Sequence, residues 1–394
     1  MKQPLDSATS VVDSSWLLSF TDHVVSYAQE LWAAELQLPN APVPSCSDEI
    51  DVSFRPEIVH LVKTFAEASR RKYYLEWSCE SYDAFVGGQD GQNERFEAAL
   101  QNLYTPLDDI LETRPASIFD KYDVLVLRYA PGAITANRQA QVFMDAPKLN
   151  ETFEKNKPDD DKSWRLHPSF YRQDTDDLLL TPGLATLGFL QSQGHQTPGE
   201  RVFVAGDLGG SGAHFTHAQT QAREWVTSNV FYAALMSAAL AITNPEQYAL
   251  ARECLILLAK RSTVLEDALR VWPFGFTSVA AVSNRSAGRH RDRRSGKNKI
   301  YDVMGTIGGD RDVLIQFKGL GFTGRYDSGS LVVVPCHTHL HSVSESPVAE
   351  RVAFAGFMKP TVVLDTKLDL PRLPTSELVD AIHIQQITAR HSTI

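Results

Sequence analysis

After Trp272 the texture of the chain changes completely. The segments FTSVAAVSN, KIYDVMGTIG, DVLIQFKGLGF, SLVVVPC, THLHSV and RVAFAGFM follow one another at close spacing, separated by the turn sequences GGD, YDSGS and SESPVAE. Each is short and rich in β-branched and aromatic residues, as strands are. So many short strands in so little sequence predict a compact antiparallel sandwich or jelly roll, with any helices packed outside it.

Helices are predicted immediately before that block. THAQTQAREWVTSNVFYAALMSAALAI ends where TNPEQ opens a new helix, with Thr243 or Asn244 as N-cap, Pro245 in the first turn and Glu246 near the positive end of the dipole. EQYALARECLILLAKRS and VLEDALRVW continue the series. The run FYAALMSAALAI, residues 231–242, falls short of the roughly 20 residues of a membrane span and reads as a buried helix. Upstream, Ile58, Leu61, Val62, Phe65 and Ala66 recur at helical spacing, RFEAALQNLY predicts a second helix and KYDVLVLRYA a strand. Residues 1–50 read as an arm with one short helix, NKPDDDKS as an exposed loop, and GDLGGSGAHF as a flexible connection or lid that lacks the Gly-Lys-Ser/Thr of a phosphate-binding loop. The expectation is an α+β chain divided into an arm (1–50), a mixed helical and strand extension (51–205), a helical lead-in (206–273), a β-rich core (274–365) and a tail (366–394).

An apolar fraction of 43% and a charged fraction of 22% are those of a soluble globular protein. The N-terminal sequence does not resemble a secretory signal. Cys46, Cys79, Cys254 and Cys336 are scattered without a CxxC pair, which fits a reduced intracellular compartment and argues against structural zinc. The formal charge of −10 disfavours a general affinity for nucleic acid. Locally, however, RSAGRHRDRRSGKNK from Arg285 to Lys299 sets seven cations, Arg291 among them, against Asp292, and reads as a polyanion-facing surface.

Within that basic segment lies His290-Arg291-Asp292. Strand alternation sends His290 and Asp292 to one face and Arg291 to the other. Later, His337, His339 and His341 would share one face of another strand. Two histidines and a carboxylate make the facial triad that leaves cis positions of Fe(II) open for a chelating cosubstrate and dioxygen. Only one of the three later histidines can complete it. His341 is favoured over His339 and His337 because Ser-Val follows it and Arg351 stands ten residues on, heading another strand. A buried arginine there suits the distal carboxylate of 2-oxoglutarate, which a guanidinium grips bidentately.

Taken in order, SNR before HRD, the YD after it, GLG, YDSG, His341-Ser-Val343 and Arg351 resemble the catalytic core of TET/JBP-type Fe(II)/2-oxoglutarate dioxygenases, especially fungal ones. With the helical lead-in, the resemblance covers about 150 of the 394 residues. It implies a double-stranded β-helix (jelly-roll) core with packed helices, iron on His290, Asp292 and His341, 2-oxoglutarate on Arg351, and oxidation of a methylated base in duplex DNA, 5-methylcytosine or N6-methyladenine. The chain departs from the animal members in having no cysteine-rich zinc-binding segment ahead of the core. A flipped base would then be gripped through phosphates by Arg285, Arg289, Arg293, Arg294 and Lys297. Asp327 could accept a hydrogen bond from an exocyclic amine of the base, Asn284 could donate to 2-oxoglutarate or the base, and His339 could touch substrate. A monomeric nuclear enzyme with no membrane association is expected. The alternatives are the same iron chemistry on RNA, protein or a small molecule, or a non-catalytic jelly-roll module that binds nucleic acid.

Overall fold

The computed structural model describes residues 13–159, 167–174, 177–191, 202–209, 214–292 and 299–392. Its strands, in chain order, are β1 (Lys72–Tyr74), β2 (Ile110–Glu112), β3 (Ala116–Phe119), β4 (Leu125–Ala130), β5 (Gly183–Gln191), β6 (Val202–Val204), β7 (Ser278–Ser283), β8 (Ala287–His290), β9 (Asp302–Gly308), β10 (Leu314–Phe317), β11 (Phe322–Arg325), β12 (Leu331–Val334), β13 (His341–Val343) and β14 (Arg351–Phe357). They form a large sheet of order β1-β3-β4-β12-β9-β14-β7-β5-β6 and a small one of order β2-β11-β10-β13-β8. The chain is α+β, as expected.

From β7 to β14 the chain crosses repeatedly between the sheets. β7, β9, β12 and β14 lie in the large sheet, β8, β10, β11 and β13 in the small one. Pairing among these eight is antiparallel throughout. The period-2 pattern of the strands explains how the large sheet is covered on both faces. On β12, Leu331 and Val333 belong to the core under the helices, while Val332 and Val334 belong to the core shared with Ile315, Phe317 and Phe322 of the small sheet. The result is three layers: helices, large sheet, small sheet.

The helix Val230–Thr243 is apolar all round, and every residue from Tyr232 to Thr243 is buried, so it forms the centre of the helical layer. It packs against the helix Leu17–Glu35, which is far longer than the short helix expected in an N-terminal arm. Its inward stripe of Leu18, Val24, Val25, Ala28 and Trp32 is interrupted by Thr21, Gln29 and Glu30, and these polar residues are buried as well. Each has a partner: Thr21 donates to the Pro273 carbonyl (2.5 Å), Gln29 to Gln386 (2.9 Å), and Glu30 accepts from the Ser45 N–H (2.7 Å).

Nor are the extension and the tail appended bodies. β1, β3 and β4 prolong the large sheet at one edge and β5 and β6 at the other. The helix Ser376–His391 buries Val379, Ile382, His383 and Ile387. His383 has no exposed surface, and its Nε2 lies 3.3 Å from the Ile242 carbonyl.

Burial pushes the His383 pKa from 6.5 down to about 3. The unfolded chain therefore binds the extra proton first, so this residue's contribution is intact above pH 6.5 and is lost as pH falls toward 3. At pH 5 the loss should be roughly 2 kcal/mol. His383→Phe, which fills the same space without titrating, should narrow the difference between the unfolding free energies from urea denaturation at pH 7.5 and pH 5 by that amount. Equal acid losses in the two proteins would refute the assignment.

A candidate metal centre

β8 ends on His290 and β13 begins on His341, and the two residues are register partners across the small sheet. Their rings lie 4.2 Å apart between centroids. Asp292, two residues past the end of β8, is held by its backbone N–H donating to the Cys336 carbonyl at 2.9 Å. Its carboxylate faces both rings, with Oδ1 3.7 Å from His290 Nε2 and Oδ2 3.8 Å from His341 Nε2. One donor atom from each residue lies within 4.8 Å of the others.

The hydrogen bonds settle which nitrogen faces the carboxylate as a lone pair. His290 Nδ1 is 2.7 Å from the Gly288 carbonyl and His341 Nδ1 is 3.0 Å from the His339 carbonyl. A carbonyl can only accept, so each Nδ1 carries the proton and each Nε2 is the nitrogen that could ligate a metal. Two neutral imidazoles and one carboxylate, all on one side, fit a divalent first-row metal such as Fe(II). The imidazoles are buried, whereas the Asp292 side chain is 29% exposed, which opens the site on the carboxylate side.

Arg351 heads β14 with 4% of its surface exposed. Its Nε donates to Thr306 Oγ1 at 2.8 Å, its Nη1 to the Arg285 carbonyl at 3.2 Å, and its guanidinium lies over the Tyr326 ring. Among the described residues no carboxylate pairs with it. Burial, assisted by the neighbouring Arg285, lowers its pKa, which marks a cation in want of an anion. Asn284, at φ +48°, has a structural occupation: its Oδ1 accepts from the Arg351 N–H (3.0 Å) and its Nδ2 donates to the Leu180 carbonyl (2.8 Å).

The residue that sequence reading misjudged is Arg291. Counted as one of the cations of a basic surface, it is buried, and its side chain is fully enclosed. Its Nη1 and Nη2 donate to the two carboxylate oxygens of Glu97 at 2.5 and 2.8 Å, and its Nε donates to the Thr338 carbonyl at 2.8 Å. Burial alone would lower its pKa, but the bonds to Glu97 and Tyr82 outweigh it and raise it. Glu97 comes from the helix Glu94–Leu103, whose approach is fixed by the preceding loop. There, the Arg291 N–H donates to the Asp90 carbonyl (3.0 Å), Gln92 donates to the Arg289 carbonyl (2.9 Å), and Gly91, at φ +89°, sits where any Cβ would collide with Leu340.

The remaining candidates scatter. His337 and His339 do not share a strand face with His341, because Pro335 to Leu340 make a turn in which the Thr338 and His339 N–H groups both return to the Pro335 carbonyl. His339 is buried, stacked on Tyr82 with centroids 5.4 Å apart, and burial pushes its pKa down to about 3. Arg285 is half-buried over Phe170 and Tyr171 rather than on an open surface. Arg289 is exposed, 3.5 Å from Glu94. Asp327 pairs with Arg325 at 3.3 Å. Arg293, Arg294 and Lys297 lie outside the described residues.

No family model matches the chain, and no curated protein does. Among solved structures it is similar to NgTET1, a TET1 of Naegleria, in complex with 5mC DNA, at 12% sequence identity over 78% of this chain and 100% of that one, with a TM-score of 0.39.

Removing Glu97 leaves the Arg291 charge buried and uncompensated. Glu97→Ala should destabilise the protein by about 3–5 kcal/mol in urea denaturation. Glu94→Ala, on the same helix but with its side chain 84% exposed, should change stability by less than about 0.5 kcal/mol. Equal effects would mean that the ion pair does not brace the site.

Proposed function

We propose that the chain is an Fe(II)/2-oxoglutarate-dependent dioxygenase that oxidises a methylated base in DNA. The observation that carries this reading is the His290, Asp292 and His341 constellation, with both imidazole tautomers fixed for Nε2 ligation. The winding of β7 to β14 alternately into two sheets supports a double-stranded β-helix core. The ordered motifs from SNR to Arg351 support the assignment of chemistry and substrate.

When bound, Fe(II) with 2-oxoglutarate and dioxygen supplies oxidation of a methyl C–H bond, with succinate and carbon dioxide as co-products. The chain's own residues do the holding. His290 and His341 present Nε2, and Asp292 contributes a carboxylate oxygen on the open side. Arg351 offers a guanidinium that no carboxylate among the described residues pairs with, matched to the distal carboxylate of 2-oxoglutarate. Asn284 keeps the Arg351 backbone in place, and Tyr326 and Phe317 wall the space between the sheets against water. A base reaches ligands buried this deeply only after leaving the stack, so the duplex must present it flipped. Arg289, and the segment holding Arg293, Arg294 and Lys297, would then meet phosphates, giving salt-dependent affinity with little sequence preference. The reading places a monomeric protein in the nucleus.

Purified protein with Fe(II), 2-oxoglutarate and duplexes bearing 5-methylcytosine or N6-methyladenine should yield succinate and an oxidised or demethylated nucleoside, detected by mass spectrometry. His290→Ala and His341→Ala should abolish both products, while His337→Ala should leave iron binding intact. Arg351→Lys should raise the KM for 2-oxoglutarate by about 10–100-fold, the value of one charged hydrogen bond. Iron and 2-oxoglutarate binding without turnover of any methylated duplex would move the same chemistry to RNA, protein or a small molecule. Absence of iron binding by the wild type would reject the enzyme altogether.

A further inference from the structure

A second buried cation lies on the opposite face of the large sheet. Arg128 on β4 is the register partner of Val333 on β12, whose side chain belongs to the core under the helices. Arg128 therefore projects away from the space between the sheets and away from the metal-site residues. Only 5% of it is exposed. Its Nε and Nη1 make long hydrogen bonds to the hydroxyls of Ser117 (3.3 Å) and Thr243 (3.4 Å), and its guanidinium lies 5.1 Å from the Trp32 ring centroid. Among the described residues its Nη2 makes no hydrogen bond and no carboxylate forms an ion pair with it. Burial lowers its pKa to about 10, so it remains a cation at neutral pH. A buried charge of this kind is costly unless it is neutralised, and the Asp380 carboxylate compensates it only from beyond ion-pair distance.

Arg128 lines a cavity of about 220 Å³. At about 30 Å³ per water molecule the space equals roughly seven waters, enough for a small organic ion. The helix Ser376–His391 begins on its wall, with Thr375 as N-cap and Lys72 Nζ 3.2 Å from Ser376 Oγ. Two cations thus converge on one cavity beside the Asp380 carboxylate, while at the start of the helix the Ser376 N–H donates to the Asp123 carboxylate (3.1 Å) and the Leu378 N–H to Thr375 Oγ1 (3.2 Å). Asp380 adds an acceptor for a hydroxyl on the same ligand.

We propose that this cavity is a second ligand site, for a small oxyanion (carboxylate or phosphate) bearing a hydroxyl, gripped by Arg128 Nη2 and Lys72 Nζ at the start of the C-terminal helix. The site is independent of the metal centre and of the reaction assigned to it.

Isothermal titration calorimetry of the full chain with malate, glycerol 3-phosphate and inorganic phosphate tests this, each probe raised to about 10 mM, ten times a 1 mM dissociation constant. At least one probe should bind the wild type, and the preference between malate and the phosphates identifies the oxyanion. Arg128→Met and Lys72→Glu should each weaken binding at least tenfold, while Arg351→Gln leaves it unchanged. Lys72 is exposed, so its variant tests the site even if Arg128→Met fails to fold. No binding of any probe overturns the proposal, as does binding that survives Lys72→Glu and disappears in Arg351→Gln.

Discussion

Arg291 sits between two residues of the candidate metal site with its side chain fully enclosed, so the position of those residues depends on how its charge is met. Glu97 meets it with both carboxylate oxygens, and the Thr338 carbonyl takes the third donor. A buried pair of this kind contributes little net stability compared with apolar packing, but losing one partner is severe. Its value lies in position. Glu97 precedes Arg291 by 194 residues, and the pair docks the segment Cys79–Leu103 against the end of β8 and the turn before β13, the two places from which the ligands project. The same segment stacks Tyr82 on His339 and bonds Asp83 to Thr338 at 2.6 Å, so it clamps both halves of the site at once.

Four arginines are buried among the described residues, and they are not equivalent: Arg138, like Arg291, has a carboxylate partner, Glu57 at 2.8 Å. Arg291 is paired with a carboxylate and braces structure. Among the described residues, Arg351 and Arg128 donate only to hydroxyl and carbonyl oxygens and lie over aromatic rings, on opposite faces of the large sheet. Because strand alternation fixes which face each occupies, a single sheet can hold two separate anion-seeking cations without their fields converging.

Much of this was legible in the sequence. The β-rich block, its antiparallel pairing and the long lead-in helices follow from local period and composition. His290, Asp292 and His341 followed from ligand chemistry, and the structure brings their donor atoms together. What could not be read was long-range partnering. Arg291 looked like one more cation in a basic loop, since nothing near it in sequence reveals a carboxylate 194 residues upstream. The helix Leu17–Glu35 was hidden for the opposite reason: its buried Thr21, Gln29 and Glu30 break the apolar stripe, and their partners also lie elsewhere in the chain.

The histidine cluster shows how local geometry divides like residues into unlike roles. On a continuous strand, residues 337, 339 and 341 would present three imidazoles to one face and compete for the same ion. Instead, Pro335 starts a turn that ends only at Leu340, and strand geometry resumes at His341. His339 is thereby rotated into the apolar contact with Tyr82, where burial keeps it neutral, while its backbone carbonyl is left to accept the Nδ1 proton of His341. One histidine keeps its Nε2 lone pair toward the candidate metal site because the backbone of the other fixes its tautomer, and the side chain so displaced becomes part of the contact through which the N-terminal segment holds the site.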